Sequence, residues 1–414
     1  MELYDLKEQQ EYVILIGVQS GENEDAWESL LELEELAATA GAHTVGKVIQ
    51  NREAVHPGTY IGTGKIQEVR QMLAALDATG VICDDELSPA QMNNLQRELD
   101  CKVMDRTLLI LDIFAARATS SEGKIQVELA QLKYRAARLT GLGNSLSRLG
   151  GGIGTRGPGE KKLEMDRRLI RTRISQLKQE LSEVHRHREL LRTGRKKGRR
   201  RVGAIVGYTN AGKSTLLNTL TSAGVLAEDK LFATLDPTTR ALVLDDGQQV
   251  LLTDTVGFIR KLPHHLVEAF KSTLEEAKYA DFIVHVVDAS NEEMDTQMHI
   301  VYQILDELGA GDKTVVTLFN KQDKLSERVH MRDFRADYTI AASARTGEGL
   351  EEFKEVLEKI LAEGQIYIER LFPYGQAGKI QTIRGFGQLL SEEYMDDGIF
   401  VKARVPMEIY KNVL

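Results

Sequence analysis

The chain is poor in cysteine, with only Cys83 and Cys101 in 414 residues. Two thiols without CxxC spacing exclude a disulfide framework and a cysteine-built metal site. They read as buried thiols of a reducing compartment, so the expected location is cytoplasmic. Apolar runs of membrane length are missing too: none approaches the roughly 18 residues that a bilayer crossing needs. Any membrane association is therefore expected to be peripheral. The polar, acidic start MELYDLKEQQEY does not read as a signal peptide. The nine histidines show no ligand spacing, and no internal repeat is evident.

The length predicts two or three domains, each able to bury its own core. A net charge of −9 argues against a nucleic-acid partner until its distribution is considered. Between Arg156 and Arg201, 17 Lys and Arg stand against 6 Asp and Glu, so this segment carries +11 and the remainder −20. A basic middle on an acidic body is a patterned molecule.

Residues 1–120 alternate strand-like and helix-like runs, from EYVILIGV (11–18) through the Ser88-Pro89 helix start to TLLILDIFAARA (107–118). This predicts a small parallel α/β domain. Two helical runs, 124–139 and 160–197, flank a glycine-rich stretch over 141–159. Leu163, Ile170, Ile174, Leu177, Leu181 and Val184 recur at three- to four-residue steps, which predicts an antiparallel basic hairpin over 121–200. Residues 201–364 alternate again, with strands at VGAIVG, QVLLTDTVG, DFIVHVVDAS, TVVTLFNKQD and YTIAASA. The tail, 365–414, is expected to be a small β-rich domain, with IYIERLF, GKIQTI and GIFVKARVP all alternating. The predicted class is α/β: a P-loop domain with a mixed, mostly parallel sheet, preceded by the small α/β domain and the hairpin.

GYTNAGKST (207–215) fits GxxxxGK[ST] and lies between a strand and a helix. Gly207, Tyr208, Thr209, Asn210, Ala211 and Gly212 would wrap phosphates with backbone N–H groups at a helix N-terminus. Lys213 would reach the β- and γ-phosphates, the Ser214 hydroxyl would meet Mg²⁺, and Thr215 completes the motif. Three further pieces follow in order. In DTVG, Asp254 can reach Mg²⁺ through water, and the Gly257 amide can meet the γ-phosphate, with Thr255 and Val256 between them. In NKQD, Asn320 would brace the loop of Lys321 and Gln322, while Asp323 accepts the two guanine protons that adenine does not offer. In SAR, Ser343, Ala344 and Arg345 would offer a backbone amide to the guanine carbonyl. These four pieces together predict a guanine-nucleotide domain that takes GTP and GDP. A threonine for Mg²⁺ is expected from FATLDPTTR, where Thr234, Thr238 and Thr239 all qualify.

These residues resemble the HflX family of ribosome-associated GTPases, within the Obg–HflX superfamily. The match includes DRTLLILDIFAARA (105–118) and LGGGIGTRGPGEKKLEMDRR (149–168), outside the nucleotide domain. The resemblance implies that Thr234 is the threonine for Mg²⁺, within a nucleotide-contacting stretch of Phe232, Ala233, Thr234, Leu235 and Asp236. Lys213, Thr234 and Gly257 are then the expected catalytic groups. It also implies GTP hydrolysis coupled to binding the 50S ribosomal subunit and its 23S rRNA, with 70S ribosomes that are stalled or idle under stress being split. A GTP-binding scaffold for RNA or ribosome assembly, with little turnover, is the alternative. Nothing demands more than a monomer. Asn210 resembles the asparagine of potassium-dependent GTPases, which implies that K⁺ supports hydrolysis. Phe258 follows DTVG where Ras-like enzymes place a water-orienting glutamine, so unassisted hydrolysis is expected to be slow.

Two other glycine motifs read differently. GTGK (62–65) has Thr59 where a P-loop needs its first glycine and Ile66 where it needs Ser or Thr. GxGxxG at Gly152–Gly157 follows a helix rather than a strand, which argues against a dinucleotide turn. Flanked by Arg148, Arg156, Lys161, Lys162, Arg167 and Arg168, it is expected to be an RNA-contacting tip, and the resemblance implies that it reaches towards the peptidyl-transferase centre.

Overall fold

The computed structural model describes residues 10–21, 25–146, 158–197, 201–221, 231–245, 247–261, 263, 271–326, 331–363 and 365–413. The chain divides into two compact units. One comprises Met1–His185, Glu228–Asp236 and Val256–Leu274; the other comprises Arg186–Ala227, Pro237–Thr255 and Glu275–Leu414.

The first unit is built on a parallel sheet in the order β2-β1-β3-β4, with β1 Glu11–Gln19, β2 Ala42–Asn51, β3 Gly80–Cys83 and β4 Lys102–Asp105. The central strand β1 buries every residue from Val13 to Val18, as a strand covered on both faces must. Helix α1 (Ala26–Thr39) starts where the Asp25 carboxylate accepts from the Trp27 and Glu28 amides. Helix α2 spans Thr63–Ala75, and α3 (Pro89–Leu99) opens with a reciprocal Ser88–Gln91 capping box and a proline in its first turn. One core is formed by Ile14, Ile16, Val18, Val69, Val81 and Leu95.

Asp105 caps α4 (Arg106–Arg117) through the Leu108 amide and is fully buried. Its two oxygens also accept from Leu87 N, Tyr134 Oη and Arg138 Nη2 at 3.1, 2.9 and 2.7 Å. Tyr134 and Arg138 lie on α5 (Ser121–Leu146), so this carboxylate ties the long helix to the sheet. Helix α6 (Pro158–Lys197) runs back along α5. Arg173 pairs bidentately with Glu128 at 2.7 and 2.9 Å, and Arg167 Nη2 donates to the Leu139 carbonyl at 2.5 Å. Position 128 faces 173 and position 139 faces 167, which makes the helix pair antiparallel.

The second unit contains a six-stranded sheet in the order β10-β9-β8-β5-β7-β6. Its strands are β5 Val202–Gly207, β6 Thr238–Val243, β7 Gln249–Asp254, β8 Phe282–Asp288, β9 Thr314–Asn320 and β10 Tyr338–Ala341. Only β6 runs antiparallel to its neighbour. Helix α7 (Lys213–Thr221) follows β5. Later come α8 (Lys271–Tyr279), α9 (Met294–Glu307) and α10 (Leu350–Ala362). Phe353, Leu357 and Ile360 of α10 pack with Ile205, Leu252 and Val316 in the core.

The tail forms an antiparallel sheet of β11 (Gln365–Phe372), β13 (Gly398–Pro406) and β12 (Gln388–Met395), with β13 central. GKIQTI, expected as an alternating strand, is instead part of α11 (Ala377–Phe386). Ile380 and Ile383, three residues apart, share one helical face. Both are buried, with α12 (Met407–Val413), in the tail's own core. Six residues with only two apolar side chains are too few to fix a period.

Candidate nucleotide site

In the second unit, the loops that follow β5, β7, β9 and β10 all leave the carboxyl ends of parallel strands, where open α/β sheets bind ligands. Gly207–Thr215 turns from β5 into α7. Gly207 is needed because a Cβ there would lie 2.2 Å from the Val286 carbonyl oxygen, and its φ is +153°. Gly212 has φ +98°, and a Cβ there would lie 2.3 Å from Asn320 Nδ2. Asn210 also adopts the left-handed region, at φ +59°. Tyr208, Thr209 and Ala211 are buried.

Lys213 opens α7 and is buried, its Nζ donating to the Tyr208 carbonyl at 2.7 Å. Burial lowers its pKa to about 8, against the opposing pull of Asp254. The next residue, Ser214, donates to Asp254 Oδ2 at 2.7 Å. A hydroxyl and a carboxylate within one hydrogen bond form a hard-oxygen donor set of the kind Mg²⁺ takes. Among the described residues no group of three or more His, Cys, Asp or Glu could hold a metal. Thr255 donates its hydroxyl to the Ile205 carbonyl at 2.8 Å, fastening the end of β7 to β5.

Asn320 joins two loops with one side chain. Its Nδ2 donates to the Ala211 carbonyl and its Oδ1 accepts from the Ala344 amide, each at 2.8 Å. Lys321, at φ +63°, pairs with Asp288 at 2.7 Å. The Gln322 amide donates to the Ala342 carbonyl at 3.2 Å. Asp323 is exposed, and the buried Ser343 donates to its Oδ1 at 2.6 Å. That hydrogen bond holds the Asp323 carboxyl below its ordinary pKa. Arg345, the last residue of the SAR motif, is exposed.

Phe232–Asp236, Val256 and Gly257 belong to the first unit. Phe232, with φ +54°, packs edge-on against Phe114 of α4 at 4.7 Å between centroids. Leu235 is buried, while Ala233 and Thr234 are half-buried. Asp236 Oδ2 accepts from Thr119 N, Thr119 Oγ1 and Ser120 N at 3.0, 2.7 and 2.8 Å, and Oδ1 accepts from Ser120 Oγ. Of the other two threonines, Thr238 and Thr239 lie on β6. Thr239 Oγ1 is hydrogen-bonded to Thr253 Oγ1 at 2.9 Å.

Phe258 and Ile259 are buried. Beyond them, Lys261 pairs with Asp84 and Asp85 at 2.5 and 2.8 Å, and Arg260 lies 4.0 Å from Glu32. Burial opposes the charge on Lys261, but the two aspartates outweigh it and raise its pKa. Arg106, itself 1% exposed, pairs with both Glu32 and Asp84. Nothing local in the sequence marks these ionic partners, or Thr119 and Ser120; Arg106 alone falls in a stretch that carries the resemblance, DRTLLILDIFAARA.

Among the basic residues, Arg167 and Arg168 lie on α6. Lys161 and Lys162 fall on the same helix by their backbone, while Arg148 and Arg156, with the glycine tip 151–157, lie outside the described residues. His264 and His265 also lie outside them. Among the described residues no helix is long and apolar enough to cross a membrane.

Comparison with known proteins matches three family models in succession. These are GTP-binding GTPase N-terminal over residues 27–115, GTP-binding GTPase Middle Region over 117–195, and 50S ribosome-binding GTPase over 202–321. The chain is 65% identical over 412 residues to GTPase HflX of Lacrimispora saccharolytica, covering 100% of this chain and 97% of the relative. It is 40% identical to GTPase HflX of Escherichia coli, covering 98% and 96%. A GTP-binding protein from Sulfolobus solfataricus, solved with GDP, is 25% identical with a TM-score of 0.45, covering 85% of this chain and 98% of that one.

Asn320→Ala would orphan the buried Ala211 carbonyl and Ala344 amide, at about 1–3 kcal/mol for each group. The urea or thermal midpoint of the full chain is expected to fall. An unchanged midpoint would refute the bracing role.

Proposed function

The chain belongs to the HflX family of GTPases, and we propose that it is a ribosome-linked GTPase whose nucleotide sits on the carboxyl ends of β5, β7, β9 and β10. The observation that carries the reading is the gathering, within one unit, of the Gly207–Thr215 turn, the Ser214–Asp254 pair and the Ser343–Asp323 pair, with Asn320 linking the first to the last. In this reading the amides of residues 207–215 and the Lys213 ammonium bind the phosphates of GTP or GDP. Ser214 and Thr234 would offer hydroxyls to Mg²⁺, and Asp254 would hold it through water. Thr234 is favoured over Thr238 and Thr239 because those two are strand residues, whereas Thr234 precedes β6. Bound there, the ion neutralises charge on the β- and γ-phosphates.

Gly257 offers its amide to the γ-phosphate, and Asp323, aligned by Ser343, accepts both guanine protons. The loop of Ser343, Ala344 and Arg345 meets the guanine carbonyl. A buried, hydrocarbon Phe258 cannot orient water, so a partner must complete the hydrolytic site. That partner is the 50S subunit. The basic antiparallel hairpin of α5 and α6, which carries Arg167 and Arg168 and whose sequence also holds Arg148, Arg156, Lys161 and Lys162, is suited to 23S rRNA phosphates. Splitting of stalled or idle 70S ribosomes under stress is the use we assign to the cycle. The chain acts as a monomer in the cytoplasm. Asn210 recruits K⁺ in place of an arginine finger.

Three measurements test this. Asp323→Asn is expected to move preference from guanine to xanthine nucleotides, because the amide donates where the carboxylate accepted. Unchanged GTP use would refute the assignment. Adding 50S subunits to the full chain is expected to raise GTP turnover at least about tenfold, the scale of a completed catalytic contact; equal rates with and without subunits would sink the partner's role. Replacing K⁺ by Na⁺ at constant ionic strength is expected to slow hydrolysis, and identical rates would exclude the cation's part.

A further inference from the structure

Asp236 lies two residues beyond Thr234 and turns its carboxylate to the start of α5 rather than to solvent. Four hydrogen bonds arrive on it from Thr119 and Ser120. Ser120 is itself the cap of α5: its Oγ accepts from the Gly123 amide at 2.9 Å, and its carbonyl accepts from Lys124 N at 3.0 Å. The fit is close enough to need a glycine within the helix, since a Cβ on Gly123 would lie 2.4 Å from Asp236 Oδ1. On the other side of Thr234, Phe232 is held in the left-handed region against Phe114 of α4. The five residues centred on Thr234 are thus pinned at both ends to the α4–α5 junction of the first unit.

A helix opening that already has its own serine cap does not need a second, charged one for stability. The carboxylate adds position, because a charge-assisted cluster of four donors leaves the 232–236 backbone one place to lie. We propose that Asp236 is a positioning residue for GTP hydrolysis: clamped by Thr119 and Ser120 and admitted by Gly123, it fixes the segment that presents the Thr234 hydroxyl to Mg²⁺. The inference rests on the assignment of Thr234 made above. On that assignment the α5 opening, through Asp236, becomes part of the machinery that holds Mg²⁺ with a triphosphate.

Two substitutions break the clamp in opposite ways. Asp236→Asn keeps the shape but removes the charge and half the acceptor capacity. Gly123→Ala removes no hydrogen-bonding group and raises helix propensity, yet pushes the carboxylate away. In the full chain, both are expected to weaken a non-hydrolysable GTP analogue about tenfold, as for the loss of a strong charge-assisted contact. Both are also expected to raise the Mg²⁺ concentration needed for half-maximal binding, while GDP affinity stays within about twofold. Thr234→Ala, measured in parallel, should show the same pattern.

If Thr234→Ala shifts analogue and Mg²⁺ binding but neither clamp variant does, the positioning role of Asp236 is overturned and the assignment of Thr234 stands. If Thr234→Ala changes nothing, the assignment itself fails and takes the inference with it. Equal losses for GDP and the analogue, together with a lowered melting midpoint, would reduce Asp236 to a structural cap and overturn the proposal.

Discussion

At the carboxyl ends of β5, β9 and β10, three loops leave the sheet with backbone groups that no neighbouring strand can pair, and the Asn320 amide satisfies one from each of two of them. Its position sets much else. Gly212 lacks a Cβ because Asn320 Nδ2 occupies that space, and Gly207 lacks one because the Val286 carbonyl of β8 does. Both glycines of the 207–215 turn are therefore required by protein against protein, before any ligand is considered. Residues 320–323 continue from the same strand. With Asn320 fixed, Ser343 reaches Asp323 and orients a carboxylate that would otherwise be a free surface group. The loop proposed to bind phosphate and the loop proposed to read the base are thereby held in register by one side chain.

The first unit follows another logic. Arg106, Arg260 and Lys261 meet Glu32, Asp84 and Asp85, three charges of each sign around a guanidinium and a carboxylate that are both 1% exposed. Such a cluster adds little net stability relative to an apolar core. Removing Arg106 or Asp84, the two members at 1% exposure, however, strands the other in low dielectric at about 3–5 kcal/mol. The segment that follows DTVG is therefore not a loose loop, since Lys261 supplies part of the countercharge of a buried aspartate. Lys261 tolerates a left-handed backbone, φ +53°, at a cost on the order of 1–3 kcal/mol, because these ion pairs hold it there.

Much of this was legible in the sequence, and the reasons differ by region. A strand buried on both faces, such as β1, has to read as a continuous apolar run, and a capped helix such as α3 announces its start with Ser88-Pro89. The motifs GYTNAGKST, DTVG, NKQD and SAR could be aligned because each ends one of the parallel strands of a single mixed sheet. Topology then brings to one edge residues as distant as 207 and 343. The tail misled because GKIQTI is too short for its period to decide between helix and strand. The clamps were illegible for a different reason. Asp236 with Ser120, and Lys261 with Asp84, are pairs more than a hundred residues apart, built from residue types that elsewhere mark ordinary solvated surface. Nothing local distinguishes a charge that will be buried from one that will not.

That distinction bears on how a GTPase of this family carries two kinds of information in neighbouring residues. In FATLDP, Phe232 and Asp236 face the α4–α5 junction, leaving Thr234 between them, and in TVGFIRK the buried Phe258 and Ile259 separate Gly257 from the anchoring Arg260 and Lys261. Each segment thus sets a group proposed above to meet phosphate or its counter-ion among groups that grip the amino-terminal sheet and helices. Displacing the segment has to strain a T-shaped aromatic contact, a four-donor carboxylate or a buried ion cluster. Those contacts are discrete, either made or broken, and packed interiors respond to such changes in steps rather than by gradual yielding. The same α5 that receives Asp236 at its first turn is tied to β4 by Asp105 and runs antiparallel to the basic α6. A force applied along that hairpin therefore meets the Asp236 clamp within the same helix, with no intervening flexible linker among the described residues.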